Sequence, residues 1–452
     1  MSSFNNFSGG RRGGYRGRGT QYRGSSRGGR YSSRGGGYEG RGEGSYDGGR
    51  GGRGGRGGAG GRGSGLGHGG DAITFSLCKF YTAGHCDRAA SCRHRHAVQK
   101  VSEAQVSAQE GGFTGAVRSL VQWKEKPDHV FSACDDGSIK MWTTTDGSTW
   151  TQVTSVQTHE WRHVGAIKEV NGALYVGYGA PYANFPDVTV DALRVLSLSD
   201  GGAEEVVNPA TGYAHSSRVN CIAVVNVGAD LRVYSGDENG RITAWARPTP
   251  GAPFAQMAQL DGHARAVTSL ISTTSNGMLW SSSEDATIRI WNTATNTCEH
   301  TITKDNGGHE GEIVALTIAQ SAVEGSLADY VISGSKDGTM GVFQATDGAL
   351  TYKHKCGNGV SAIAAFDPTP GTSALLLVGY EDGTIAVRNF PEFALAFELH
   401  PDSIYVGHSQ KVHALLPFNN PAIEDSYFMS AGEGGKMLCW KVHKLTDSAP
   451  SK

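Results

Sequence analysis

Lysine is absent from the first 70 residues, and acidic residues are nearly so. Thirteen Arg stand there against Glu39, Glu43 and Asp47, which leaves this stretch at about +10. No apolar run in the chain approaches the ~18 residues that a membrane-spanning helix needs, so no membrane partner is expected. The first residues offer no apolar core, so no secretory leader is expected. Their Arg- and Ser-rich, acid-poor composition matches a mitochondrial transit peptide, but Gly at this density would not hold the amphipathic helix such a peptide uses. Neither a P-loop nor a nucleophile elbow between a strand and a helix is found, so catalysis and a small-molecule substrate are not expected.

Gly is abundant, at 66 of 452 residues, and the excess is local: 30 lie in residues 1–70. Arg-Gly-Gly recurs at Arg12, Arg27, Arg34, Arg50, Arg53 and Arg56, with Tyr15, Tyr22, Tyr31, Tyr38 and Tyr46 interleaved. Gly loses the most backbone entropy on ordering and little here can be buried in return, so residues 1–70 are expected to be a disordered tail. Guanidinium pairs with phosphate in a fork and stacks on bases, which an ammonium does less well. Arg without Lys, with aromatics between, therefore fits loose single-stranded nucleic-acid contact. The whole chain carries a net charge of −2, so a basic front conceals an acidic body of about −15 over residues 101–452. That asymmetry places polyanion binding in the front and argues against it in the body.

Three of the eight Cys fall in one short stretch. Cys78, Cys86, Cys92 and His96 stand at spacing C-x7-C-x5-C-x3-H. Three thiolates and an imidazole form a closed tetrahedral set for a structural Zn2+. His85 and His94 are rival ligands, but His94 lies only two residues after Cys92, which would strain a shared site. The unit at 71–100 is too short for a hydrophobic core and must draw its folding energy from metal. The stretch resembles the CCCH zinc-finger family. The resemblance implies single-stranded RNA, of the mRNA kind, as partner, with Lys79, Phe80, Tyr81, Arg88, Arg93, His94 and Arg95 as contacts. Phe80 matches the aromatic usual after the first Cys. His94 replaces the aromatic usual between the third Cys and the His.

The other five Cys (Cys134, Cys221, Cys298, Cys356, Cys439) are scattered, which suits free thiols in a reducing compartment: cytoplasm, nucleus or both. They accompany internal repeats. Apolar strand, tight turn and strand ending in an aromatic recur at 132–142 (SACDDGSIKMW), 235–245 (SGDENGRITAW), 281–291 (SSSEDATIRIW), 333–343 (SGSKDGTMGVF) and 430–440 (SAGEGGKMLCW), with a weaker copy at 378–388 (VGYEDGTIAVR). The turns lie at Asp136, Asn239, Asp285, Asp337, Asp382 and Gly434; the first gap is two repeats long, so a degenerate copy is expected near 165–200.

These motifs resemble the WD40 family, and His215, His263, His309 and His408 sit at its Gly-His position. The resemblance implies an all-β fold: a seven-bladed β-propeller at 113–445, preceded by the finger and the tail. Residues 101–112 are then a linker or the strand that closes the last blade, and 446–452 a C-terminal tail. Finger followed by propeller is similar to eukaryotic zinc finger–WD40 proteins best known from plants, over about residues 78–445. In that family a Ser-His-Asp set such as Ser281, His263 and Asp285 is a structural network, and its partial repeat at His309, Ser333 and Asp337 fits scaffolding better than one active site.

In the degenerate copy about ten residues, two of them Pro, replace a tight turn and carry Tyr182 and Phe185. The fold puts them beside the loop holding Trp161 and Arg162. Aromatics with Arg on a loop have the composition of a partner-binding hot spot, here for an unidentified protein. The leading expectation is a non-catalytic RNA-binding adaptor. A ubiquitin-ligase substrate receptor and a scaffold of a ribonucleoprotein or mRNA export assembly are the alternatives. Such receptors often carry Trp-Asp-x-Arg, but Thr, Ala, Asn and Lys follow Trp142, Trp245, Trp291 and Trp440.

Overall fold

A computed structural model describes the chain from Leu77 to His443, apart from residues 89–91, 93, 107–114, 158–162, 180–192, 199–203, 207–214, 216, 229, 250–251, 274–275, 324–325, 367–373 and 402–405. The tail at 1–70 lies outside the described residues. Among the described residues, seven four-stranded antiparallel sheets follow one another along the chain. Their innermost strands pack side by side around a ring, and the last of them, Val412–Phe418, returns to the first, Val117–Gln122. This is the seven-bladed propeller that the repeats predict. The degenerate copy is a full blade, built from Val164–Val170, Ala173–Tyr178, Leu193–Ser197 and Glu204–Val206.

One device recurs in every blade. The inner strand opens on a β-branched residue with no solvent exposure: Val117, Val164, Val219, Val267, Ile313, Val360 and Val412. Directly after it the register against the second strand shifts at a bulge, and a small residue follows: Ser119, Ala166, Cys221, Ser269, Ala315, Ala362 or Ala414. The bulge adds local twist. In blades 2, 3, 5 and 6 the next blade fits closely against the second strand because that strand carries Gly at the contact: Gly177, Gly236, Gly334 and Gly379. A Cβ added to Gly334 would lie 2.5 Å from Val360, and one added to Gly177 2.6 Å from Val219.

The Trp-ending strands are held by a buried column of polar groups. Trp245, Trp291 and Trp440 donate their indole N–H to Ser235, Ser281 and Ser430 at 2.8, 2.8 and 2.9 Å. His215, His263 and His408 approach the same hydroxyls through Nε2 at 2.6, 2.7 and 2.8 Å. Behind two of these imidazoles stand Asp237 and Asp285, at 2.9 and 3.0 Å from Nδ1. Blade 5 repeats the theme: His309 meets Ser333 at 2.6 Å, and its Nδ1 meets Thr339 at 2.7 Å. Ser281 is fully buried and already engages Trp291 and His263, so the set at Ser281, His263 and Asp285 is a brace, as the family resemblance implies. In blade 3 the acid is Asp237, two residues before the Asn239 turn position.

Pairing Val98–Gln105 with Lys436–Val442 supplies the fourth strand of the last blade, in register from Val98↔Val442 to Gln105↔Lys436. Val98 has no solvent exposure and joins Phe428, Leu438, Trp440 and Val442 in one core cluster.

Blade 7 also fixes the response to acid. Burial pushes the His408 and His413 imidazoles down to about 4 from the ordinary 6.5. The folded chain keeps them neutral while the unfolded chain protonates them near 6.5. Stability is therefore full above that pH, falls between 6.5 and 4, and stops falling through these groups below 4. For His408 the window is worth about 3 kcal/mol. Burial raises the Asp285 carboxyl, but bonds from His263, Thr287 and the Ala264 N–H outweigh it and hold the group well below the carboxylate range. Its contribution is lost only at still lower pH. Denaturant unfolding across pH 7.5 to 4 checks this. The His408→Gln variant is expected to be weaker at pH 7.5 but to decline less steeply than the parent, and an equal slope would contradict the assignment.

Candidate metal centre and nucleic-acid interface

The short segment before the propeller begins with a single helical turn, Lys79–Thr82. Cys78 caps it, so the first sulfur sits where backbone N–H groups of Phe80 and Tyr81 converge. Burial pushes the Cys78 thiol up and those two groups pull it back. Gly84, at φ +130°, turns the chain toward Cys86, and nothing lies within 4 Å of where its Cβ would be. The His94 backbone N–H reaches the Cys92 sulfur and draws that thiol below its ordinary value.

The three sulfurs and the His96 ring nitrogen lie within 4.8 Å of one another. The Cys92 and Cys78 sulfurs are 3.6 Å apart. His96 Nε2 is buried with no hydrogen-bond partner. An orphaned imidazole nitrogen facing three thiol sulfurs is what a tetrahedral ion would satisfy, and this donor set suits zinc. The rival His85 turns outward and pairs with Asp87 at 2.9 Å.

The RNA-contact residues expected from the family separate into two groups. Phe80 is 64% exposed, with the Lys79 ammonium 5.3 Å from its ring centroid. Arg88 and His94 are exposed on the same small unit, while Arg93 lies outside the described residues. Tyr81 is placed differently. Its ring stacks on His96 at 4.1 Å with 3° between the planes, and its hydroxyl meets His443 Nε2 at 2.7 Å. One face of the ring is occupied by a candidate metal ligand and its polar end by the propeller. Arg95 is also engaged: it donates to the Ala396 carbonyl at 3.1 Å, and its own carbonyl accepts from the Cys78 N–H at 3.0 Å.

Sequence reasoning missed the residues that seat this unit. Leu77 packs against the core of blades 6 and 7, Gln99 donates to the Gly84 carbonyl, and His443 receives Tyr81. Only the apolar Leu before the first ligand carried any signal. Also passed over was a literal His-Glu-x-x-His string, His159-Glu160-Trp161-Arg162-His163. In metalloproteases this string works on a helix, where i and i+4 share a face. Here His163 leads straight into the strand Val164–Val170 and its ring bonds the Asp135 carbonyl, while the rest of the string lies outside the described residues. Trp161, Arg162, Tyr182 and Phe185 lie outside the described residues. The residues bordering their two loops do meet: the Gly179 N–H bonds the His163 carbonyl at 2.7 Å.

Family models match two parts of the propeller: one described as IP5P C-F beta-propeller over residues 156–335, and one as WD domain, G-beta repeat over 106–143. Zinc finger CCCH domain-containing protein 17 of Oryza sativa is 27% identical over 317 residues, covering 70% of this chain and 64% of that protein. Zinc finger CCCH domain-containing protein 59 of Arabidopsis thaliana is 24% identical over 229 residues, covering 50% of this chain and 42% of that protein. The chain thus spans less than two thirds of the length of these relatives. Its homologues are plant CCCH zinc-finger proteins, its propeller matches WD40 models, and the cluster at 78–96 fits a CCCH finger.

The ligand assignment predicts that wild type binds one equivalent of zinc and that Cys86→Ser with His96→Ala binds none. Elemental analysis of the purified full chain checks both. Stoichiometric zinc in the double variant would mean the ligands are wrong.

Proposed function

We propose that this chain is a non-catalytic adaptor that binds single-stranded RNA at its front and a protein at its propeller, in the cytoplasm, the nucleus or both. A WD40-type propeller with CCCH zinc-finger relatives supports a scaffold-type, protein-interaction role. The observation that carries the RNA half is Phe80: a large apolar ring, 64% exposed and flanked by Lys79, on the unit that carries the four candidate metal ligands. An exposed aromatic beside a cation is a stacking platform for an unpaired base. Zinc supplies no chemistry here beyond fixing the four ligands, and through them the attitude of Phe80. Arg in the tail adds sequence-independent phosphate contact.

Two measurements test the RNA reading. Deleting residues 1–70 weakens binding to all single strands and flattens the salt dependence; if about six Arg engage phosphate, the lost slope is on the order of 4. Phe80→Ala instead costs about 1–3 kcal/mol, while Tyr81→Phe leaves base stacking unchanged. Binding indifferent to both salt and Phe80 would sink the RNA half.

The protein half rests on the blade 2 rim. The bond between Gly179 and His163 supports the reading that both loops rise from one sector of the ring. Pro within the longer loop restrains it without needing hydrogen-bond partners, so Tyr182 and Phe185 have little entropy to lose on binding. Replacing Trp161, Tyr182 and Phe185 together by Ala is expected to abolish a protein partner while RNA affinity and melting temperature hold. If the triple variant unfolds, these residues seal the blade and the contact lies elsewhere.

A further inference from the structure

We infer that metal loading of the finger and closure of the propeller's last blade are one coupled equilibrium, with Tyr81 as the positioning residue that joins them. The inference rests on the zinc reading above and goes beyond it. The last ligand, His96, is separated from the closing strand only by Ala97. Ala97 is itself buried, and its carbonyl accepts the His443 N–H at 2.9 Å. On the other side of the metal, Leu77 precedes the first ligand and packs on the cluster that holds Val98, Leu438, Trp440 and Val442.

Tyr81 spans the gap between the two. Its ring lies parallel to the His96 imidazole, and its hydroxyl is held by His443, the residue directly after Lys436–Val442. Gln99, inside the closing strand, reaches back to the Gly84 carbonyl between the first two Cys. Ligands therefore flank the closing strand's entry, and groups from both paired strands reach into the finger. Among the described residues this is the one blade whose outer strand is delivered by a metal-binding unit.

The physics runs both ways. Without the ion, four ligands lose their common centre, Leu77 and Tyr81 are no longer held against blade 7, and Gln99 of the closing strand loses the Gly84 carbonyl. The outer strand is then anchored by its own ladder and the buried Val98 alone, and an unpaired Lys436–Val442 edge would be left to solvent whenever it opens. Conversely, a loosened closing strand lets His96 leave the ligand set. Linkage requires the two effects to be equal in size.

The test uses the zinc-loaded full chain, with metal content measured on the same sample. Hydrogen exchange is followed with and without a zinc chelator. The expected result is exchange faster by about 5- to 150-fold, the usual span of coupling between sites, in Val98–Gln105 and Lys436–Val442. The strands Val219–Val227 and Val267–Ser272 of blades 3 and 4 serve as internal reference. Faster exchange across the whole propeller would support the coupling in a stronger form. In the reverse direction, Tyr81→Phe and His443→Ala are expected to weaken zinc affinity by a comparable factor, although neither residue is a ligand. Tyr81→Phe keeps the stacked ring and so guards against simple misfolding. Zinc released by the chelator with no change in blade 7 exchange would overturn the coupling alone. Faster exchange with unaltered zinc affinity in both variants would overturn the role of Tyr81. A chain that binds no zinc would overturn this inference and the metal reading together.

Discussion

The structure depends on one pairing made across the whole chain: Val98–Gln105 against Lys436–Val442. Every other ladder joins strands that are near neighbours in sequence. Those local hairpins can form blades, but they do not by themselves make a ring. Without the long-range pair, blade 7 would have three strands and an open edge, which is a template for unwanted pairing. Loop-closure entropy rises only slowly with length, so bringing the two ends together costs little more for a ring of this size than for a much shorter one. Eight residues with a fully buried Val98 at one end are enough to hold it.

Within the ring, order comes from a few contacts repeated with small variations. Buried Val or Ile opens each inner strand, and at Val219, Val267, Val360 and Val412 a Gly on the neighbouring blade's second strand makes room for it. Blades 2 and 6 both lack the Ser and Trp of the braced blades. In blade 2 aromatics take over. Tyr175 meets Phe254 of the next blade edge-on at 6.3 Å, and both join a cluster with Leu193, Val233 and Trp245. The blade keeps its four strands because apolar burial between blades replaces the polar brace within it.

What could be read from the sequence follows from how local each signal is. The Cys78, Cys86, Cys92 and His96 set was legible because metal geometry constrains spacing directly. The Ser to Trp repeats were legible because strand, turn and strand lie within eleven residues. Blade 2 was visible only as a gap in those repeats, although Val164 and Ala166 carry the same β-branched, x, small pattern as the other six inner strands. That pattern is too short to stand out until the bulge explains it. Asp237 was not legible because it stands two residues before the turn position Asn239 in the Ser-to-Trp repeat. The seat of Tyr81 was illegible for a different reason. Its partner His443 is 362 residues away, and nothing near Tyr81 in the sequence distinguishes a docked ring from an exposed one.

Charge then separates the two halves of the proposed function. Several of the propeller's bases are answered by its own acids around the turns between second and third strands. Arg118 meets Asp135 at 2.6 Å, Arg265 meets Glu284 and Glu312 at 3.3 and 3.0 Å, Lys336 also pairs with Glu312, and Lys411 meets Glu381 at 3.7 Å. A base paired in this way has little field left for phosphate, and the surplus acid of the body repels it. The finger is different. Its Arg95 is turned inward to a backbone carbonyl, but Lys79 and Phe80 are exposed, with the ammonium 5.3 Å from the ring centroid. On the proposed reading, a polyanion approaching the chain would be turned away from the ring and accepted at the front. The ring is left to surfaces whose recognition does not require positive charge, which is the chemistry of a protein partner rather than of a second nucleic-acid site.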